Sequence, residues 1–73
     1  MTVAQVRVHS DHAEVMFYES ARIYRLLRAN RNYDDALLVL RRSQAAGAKV
    51  TVEFADENGD VIANVSDEKR NRN

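Results

Sequence analysis

Apolar and polar residues alternate along residues 49–65, and the alternation is interrupted once, at Asn58-Gly59. An Asn-Gly pair between alternating segments predicts a β-hairpin, because both central residues of a type I′ turn need positive φ angles. With these two residues as the loop, Val52 faces Val65 on the neighbouring strand. The face that we expect to be buried holds Val50, Val52, Phe54, Val61, Ala63 and Val65. The opposite, exposed face holds Thr51, Glu53, Ala55, Ile62 and Asn64.

The beginning of the chain contains a second pair of alternating segments. Residues 3–8 read VAQVRV, residues 13–19 read AEVMFYE, and HSDH lies between them. Ser10 and Asp11 can close a turn through their side chains, although the turn has no glycine. The sequence therefore predicts an N-terminal hairpin, with Met16 and Tyr18 on the face that points away from the core.

A helical period separates the two hairpins. Asn32 is the expected N-cap, Asp35 follows three residues later as in a capping box, and Gly47 is the expected C-cap glycine. On a helical wheel, the face that we expect to be buried holds Tyr33, Ala36, Leu37, Leu40 and Ser43. The face that points away from it holds Leu38, Arg41, Arg42 and Ala45.

Residues 20–28, SARIYRLLR, fit either a helix or a strand. As a helix, the segment is capped by Ser20 and has an apolar stripe of Ile23, Tyr24, Leu26 and Leu27. As a strand, it places Arg22, Tyr24 and Leu26 on one side and Ile23, Arg25 and Leu27 on the other.

The choice between these two structures decides the fold. A strand gives the order β-β-β-α-β-β, which is that of a small OB-like five-stranded barrel, in an α+β class that is mainly β. A helix gives β-β-α-α-β-β, a two-layer sandwich. We expect the strand. Residues 1–66 then form a single domain, and residues 67–73 form a polar tail that is expected to fray.

A resemblance to a known family points the same way. The segment YDDALLVLRRSQAAGAKVTVEF, followed by DVIANV, resembles small bacterial OB-fold proteins of the toxin B-subunit-like type. In those proteins a tyrosine-led strand precedes a helix rich in leucine and alanine, which ends in Ala-x-Gly and leads into a Val-x-Val strand. The similarity covers residues 22–65 and departs at Arg41-Arg42 and in the absence of cysteine. It implies an OB barrel and brings no functional residue with it.

The charge distribution is uneven although the net charge of the 73 residues is zero. Residues 20–49 carry seven basic residues against two acidic ones, whereas residues 50–68 carry six acidic residues and no basic one. The zero total argues against a dedicated nucleic-acid-binding protein, because such affinity comes largely from counterion release at phosphates. No apolar run is long enough for a membrane span, and the start of the chain does not resemble a signal peptide, so we expect a cytoplasmic protein without a membrane partner.

The sequence predicts no catalytic, cofactor or metal site, and we expect a protein that is not an enzyme. The chain has two glycines, too few for a phosphate-binding loop. His9, Asp11 and His12 could ligate a metal, but sequential histidines without a distant third ligand are typical of an ordinary solvated turn. The segment DENGD is expected to be an acidic hairpin tip, since it lacks the spacing of a calcium loop.

Two functions remain open from the sequence. The first is a small binding module that acts through protein–protein contacts and self-associates, because a domain this small without disulfides gains stability from assembly. Its interface candidates are Met16, Tyr18, Leu38, Arg41, Arg42 and Ile62. The alternative is a single-stranded nucleic-acid-binding module of the OB type. Its candidates are Tyr18, Arg22, Tyr24, Arg28 and Arg31. A small binding chain of this kind would fit a bacterial or phage protein.

Overall fold

The structure is a computed structural model that describes residues 1–57 and 59–67. It contains five strands and one helix, in the order β1 (Val3–Val8), β2 (His12–Phe17), β3 (Ile23–Leu27), α1 (Tyr33–Ala46), β4 (Val50–Phe54) and β5 (Ile62–Asp67). The strands form two antiparallel sheets, β1-β2-β3 and β4-β5. The predicted β-β-β-α-β-β order and mainly β class are confirmed. The alternative with two helices is wrong.

Within residues 20–28, which fitted either a helix or a strand, Ile23–Leu27 form strand β3. The strand forms because its pairing with β2 buries every second side chain. Tyr24 lies opposite Val15, and Leu26 lies opposite Ala13. These four side chains are buried, whereas Ile23 and the other odd-numbered residues of β3 face solvent. A helix would have buried Ile23 and Leu27 together with Tyr24 and Leu26. The period of two is therefore the one that burial follows.

The helix begins and ends where the sequence predicts, but its N-terminus is held differently. Asn32 occupies the N-cap position and its carbonyl accepts the Ala36 N–H at 2.8 Å, yet its side chain makes no capping bond. The predicted capping box is therefore wrong. The side chain of Asn30 acts there instead, because its Oδ1 accepts the Asn32 N–H at 2.8 Å. At the other end, Gly47 has a φ of 69° and donates to the Ser43 carbonyl, as expected for a C-cap glycine.

The second hairpin contains an irregularity that the sequence did not predict. Val52 lies opposite Val65 as expected, but the register shifts between Glu53 and Phe54, so that Phe54 lies opposite Ile62. A bulge of this kind moves the following residues to the other face of the strand. Ile62 is therefore buried, and its predicted exposure is wrong.

The loop of this hairpin is only partly described, because Asn58 of the predicted turn lies outside the described residues. The Ala55 N–H donates to the Val61 carbonyl at 2.9 Å, and the Gly59 N–H donates to the Asp56 carbonyl at 3.2 Å. The ladder itself ends at Phe54 and Ile62. The described connection between the strands is thus longer than the two-residue loop that the sequence predicts.

Among the described residues, backbone bridges join the two sheets at two points. Thr2 forms an antiparallel bridge with Lys49, and next to it the Val50 N–H donates to the Met1 carbonyl at 2.6 Å. Arg25 forms a parallel bridge with Val61. Helix α1 closes one side of the shared core, to which both sheets contribute. The buried apolar residues are Val3, Ala13, Val15, Phe17, Tyr24, Leu26, Tyr33, Ala36, Leu40, Val50, Ile62 and Val65.

Strand β5 extends one residue beyond the predicted domain boundary at residue 66. Asp67 is the last residue of β5, where it lies opposite Val50, and its carboxylate is 3.0 Å from Arg42 Nη2. Asp67 therefore belongs to the folded part. The rest of the expected tail, residues 68–73, lies outside the described residues. Within the part of the chain that the structure describes, no helix is long and apolar enough to cross a membrane.

The Glu19 carboxylate, in the turn that follows β2, forms a hydrogen bond with the residue before β1. We expect this hydrogen bond to lose its stabilising effect in acid. Glu19 Oε1 accepts the Thr2 N–H at 2.7 Å, and that hydrogen bond holds the pKa of the carboxyl below its ordinary value. Because the folded pKa is lowered, the stabilisation is complete above the ordinary glutamate pKa of about 4.3 and is lost as the pH falls through the folded value. Glu19→Gln should lower the melting temperature at neutral pH and change it little in acid.

Thermal unfolding followed by circular dichroism across this pH range tests the contact. Glu53→Gln is the matched control, since Glu53 is exposed on β4, and it should not reproduce the pH-dependent difference. A Glu19→Gln variant whose melting temperature differs equally from the unchanged chain at neutral and acid pH would contradict a role for the carboxylate charge.

Candidate functional site

The outer face of the three-stranded sheet carries an exposed apolar pair. Met16 lies opposite Ile23 on β3 and opposite Gln5 on β1. The side chains of Met16 and Ile23 remain 37% and 49% exposed. Side chains directly opposite on one face of a sheet touch each other, so the two form one apolar surface. Tyr18, which follows β2 in a turn, is 75% exposed.

A charged row lies beside this pair on the same face. Glu14 lies between Arg7 on β1 and Arg25 on β3, one outward-facing position along the strands from Met16. Arg25 Nη2 also lies 3.4 Å from Asp60 Oδ1. The row therefore presents both signs of charge next to an apolar surface, which is an arrangement suited to protein contacts.

The predicted interface residues do not form one surface. Leu38 is 57% exposed on the solvent side of α1, the side on which Arg41 and Arg42 also lie. Since α1 and the sheet bury their other sides in the same core, Leu38 and Met16 point away from that core on different elements. Ile62 is removed from the set, because it is only 1% exposed.

Two of the residues predicted for nucleic-acid binding are engaged in contacts within the fold. Tyr24 is buried, with its ring centroid 5.5 Å from that of Phe17 and 5.0 Å from that of Phe54. Its ring cannot stack on a base, and the candidate role of Tyr24 is therefore wrong. The guanidinium of Arg28 lies over the ring of Tyr33, 5.6 Å from its centroid.

The remaining nucleic-acid candidates lie on the surface. Tyr18, Arg22 and Arg31 are exposed. However, the loop between β4 and β5 places Asp60 beside Arg25, and Asp56 and Glu57 are exposed in the same loop. Acidic side chains next to β3 oppose the approach of a phosphate backbone.

A cluster of two histidines and two carboxylates lies at the end of the first hairpin. His9 Nε2 is 3.2 Å from Glu14 Oε1, and His12 Nε2 is 3.9 Å from Glu14 Oε2. His12 Nδ1 is 2.7 Å from Asp11 Oδ1. The two imidazole rings stack with centroids 4.8 Å apart. The arrangement thus directs one nitrogen of each ring toward a single carboxylate.

The local fold of the hairpin produces this cluster. The His9 N–H donates to the His12 carbonyl at 2.8 Å, which sets the two residues opposite each other across the turn. Ala13 and Val15 point into the core, so His12 and Glu14 share the outer face of β2. The sequence pattern indicated Asp11 as the third possible ligand and did not indicate Glu14. The available signal was the two-residue spacing from His12, which puts Glu14 on the same side of a strand.

Both carboxyl groups of the cluster are held in the charged form. The hydrogen bond with His12 holds the pKa of Asp11 below its ordinary value. The hydrogen bond with His9 does the same for the pKa of Glu14, and the nearby charge of Arg7 contributes less. Both groups are therefore carboxylates at neutral pH.

Comparisons with known proteins add no assignment. No family model, no curated protein and no solved structure matches the chain. The resemblance to OB-fold proteins of the toxin B-subunit-like type is therefore not tested by them.

Proposed function

We propose that the chain is a non-enzymatic binding module that pairs with a second copy of itself through the outer face of the β1-β2-β3 sheet. The observation that carries this proposal is the exposed Met16–Ile23 pair on that face. In a two-fold dimer the same surface is used twice, so an apolar centre meets an apolar centre and is removed from water.

The charged row supports a second copy as the partner. A row with Glu14 between Arg7 and Arg25 is complementary to itself, because Glu14 of one copy can meet an arginine of the other when the copies are related by a two-fold axis. A row of a single sign would repel its own copy. The small size of the domain and its lack of disulfides also favour assembly.

The proposed architecture is a partly open OB-type barrel. The order of the elements agrees with that fold. The antiparallel bridge Thr2–Lys49 joins the first sheet to the residue before β4, and the parallel bridge Arg25–Val61 joins it to the residue before β5. These contacts give the circular order β1-β2-β3-β5-β4, in which the two sheets approach each other at both edges. In such folds the β2–β3 face and the β1–β2 and β4–β5 loops bind ligands.

Binding of single-stranded nucleic acid through that face is the less favoured alternative. Its support is the exposure of Tyr18 and of arginines near β3. Against it stand the burial of Tyr24 and the acidic β4–β5 loop. Protein–protein contact does not need a second exposed tyrosine for stacking on a base, nor a continuous positive surface. The geometry therefore favours protein contact over nucleic-acid binding.

Sedimentation velocity over a range of concentrations tests self-association. We expect the mass of the unchanged chain to rise from one copy toward two, and we expect Met16→Glu to raise the dimer dissociation constant by at least about tenfold, because a carboxylate would be desolvated twice in a symmetric interface. Leu38→Glu is the matched control, because it places the same charge on the exposed side of α1. It should associate as the unchanged chain does.

Two results would refute the proposal. One is an unchanged chain that stays monomeric at every concentration. The other is a Met16→Glu variant that melts normally and dimerises like the Leu38→Glu control. A labelled single-stranded oligonucleotide titrated in parallel separates the alternative: binding that weakens steeply with salt would favour nucleic acid as the partner.

A further inference from the structure

We propose that the end of the first hairpin binds a divalent transition-metal ion, for which Zn²⁺ is the probe, through His9 Nε2, His12 Nε2 and the Glu14 carboxylate. This site does not rest on the proposed self-association. Two imidazoles and one carboxylate form a ligand set that first-row divalent ions accept, with at least one position left for water.

The distances in the cluster are close to those that a metal requires. Ligand atoms about 2.1 Å from a tetrahedral zinc ion lie about 3.4 Å from one another. The distance from His9 Nε2 to Glu14 Oε1 is 3.2 Å, and that from His12 Nε2 to Glu14 Oε2 is 3.9 Å. One donor atom from each of the three residues lies within 4.8 Å of the others. Small side-chain rotations complete the geometry, and the partly exposed side chains permit them.

Asp11 is the positioning residue of the site. Its Oδ1 lies 2.7 Å from His12 Nδ1 and accepts a hydrogen bond from the Nδ1–H of the neutral ring. The other nitrogen, Nε2, then carries the lone pair, and it is this nitrogen that faces Glu14. A carboxylate behind a ligating histidine fixes the tautomer and ring orientation in many metal sites. This hydrogen bond distinguishes the cluster from a chance pair of surface histidines.

The charges around the cluster limit the affinity without preventing binding. Arg7 and Arg25 lie on either side of Glu14, and the positive charge of each weakens the binding of a metal ion there. Arg25 is partly neutralised by Asp60, at 3.4 Å. The carboxylates of Glu14 and Asp11 balance the two charges of the ion. Because two of the three ligands are imidazoles, the site should prefer Zn²⁺, Co²⁺ or Ni²⁺ to Mg²⁺ and Ca²⁺, which prefer oxygen ligands.

Isothermal titration with Zn²⁺ at neutral pH, on the whole chain, tests the site. We expect one ion per chain, and His12→Ala and Glu14→Gln should each weaken binding by at least about tenfold, since each removes a ligand of a three-ligand site. Glu53→Gln removes an exposed carboxylate away from the cluster and should bind as the unchanged chain does. Circular dichroism melts of the metal-free variants establish that they fold.

The role of Asp11 needs a separate readout. Asp11→Ala should weaken Zn²⁺ binding by about tenfold. In ¹⁵N NMR spectra of the metal-free chain, it should also shift the His12 tautomer away from the Nδ1–H form. A variant that binds more weakly with an unchanged tautomer would refute the positioning role.

The metal proposal and the dimer proposal can fail separately. Repeating the titration on Met16→Glu measures the site when the outer face carries a charge that opposes pairing, and the stoichiometry of one ion per chain should be unchanged. The absorption spectrum of bound Co²⁺ should show tetrahedral or five-coordinate bands that disappear in His12→Ala. Absence of Zn²⁺ binding by the unchanged chain, or equal binding by His12→Ala, would overturn the site.

Discussion

Ile62→Ala is expected to destabilise the domain by about 2–5 kcal/mol, the usual cost of removing a large buried aliphatic side chain. Ile62 is 1% exposed and belongs to the core cluster. It also lies opposite Phe54 at the irregular end of the second hairpin. A domain of this size has roughly 4–11 kcal/mol of net stability. The substitution should therefore remove a large share of it, and urea unfolding monitored by circular dichroism measures the loss.

Leu38→Ala is the matched control for this experiment. Both positions hold a large aliphatic residue and both were expected from the sequence to be exposed, but only Leu38 is exposed in the structure, at 57%. Its replacement should change the free energy of unfolding by no more than about 0.5 kcal/mol. If the two variants lost equal stability, the assignment of Ile62 to the core would be wrong, and the regular register predicted from the Asn-Gly turn would regain support.

Ile62 is predicted to be exposed and is buried in the structure because the strand register shifts by one residue. The alternation of apolar residues predicted the pairing of Val52 with Val65, which the structure confirms. It also assumed an unbroken ladder between that pair and the turn. A bulge adds one residue on β5 and exchanges the faces of the residues beyond it. The sequence offers Ala63 and Ile62 as almost equivalent apolar candidates, so the pattern alone could not reveal the shift.

Asn30 holds this irregular stretch and shows why local signals were insufficient. Its Nδ2 lies 3.0 Å from the Ala63 carbonyl and 3.4 Å from the Ile62 carbonyl, while its Oδ1 accepts the Asn32 N–H. One amide therefore joins the start of α1 to β5. The sequence predicted the helix ends correctly from Asn32 and Gly47, but the side chain that acts at the N-terminus is Asn30. A contact between residues so far apart in the chain leaves no local pattern.

The candidate sites were predictable only where strand alternation determined them. Met16 and Tyr18 were expected on the surface, and both are exposed. A base-stacking role for Tyr24 requires its ring on the surface of the protein. The strand alternation that predicts β3 instead points this ring into the core, where it is buried. The sequence indicates both histidines as possible metal ligands, but it indicates Asp11 as their partner. Only the paired strands place Glu14 beside both rings.

Ser43→Ala is the second substitution with a large expected effect, at about 1–3 kcal/mol. Ser43 is 1% exposed and is the buried polar side chain of the described core. Its Oγ accepts the Val3 N–H at 3.2 Å and donates to the Ala48 carbonyl. These two bonds join α1 to the start of β1 and to the segment that leads into β4. Alanine leaves the buried Val3 N–H without this partner, and an unsatisfied buried group is costly, whereas the Ala48 carbonyl belongs to an exposed residue and can bond to water instead.

The size of the effect has to be separated from a general loss of helix stability, and hydrogen exchange does this. The Val3 amide should exchange much faster in Ser43→Ala, whereas the Gly47 amide, which donates to the backbone carbonyl of residue 43, keeps its acceptor. Ser66→Ala is the control, since Ser66 is exposed on β5, and it should cost no more than about 0.5 kcal/mol. A Ser43→Ala variant with the stability and the Val3 exchange rate of the unchanged chain would show that this hydroxyl does not join the helix to the sheets. The opposite result would show that a single buried hydroxyl fixes the position of α1 relative to Val3 and Ala48, the residues next to the Thr2–Lys49 bridge between the sheets. The sequence indicates only that Ser43 lies on the buried face of the helix.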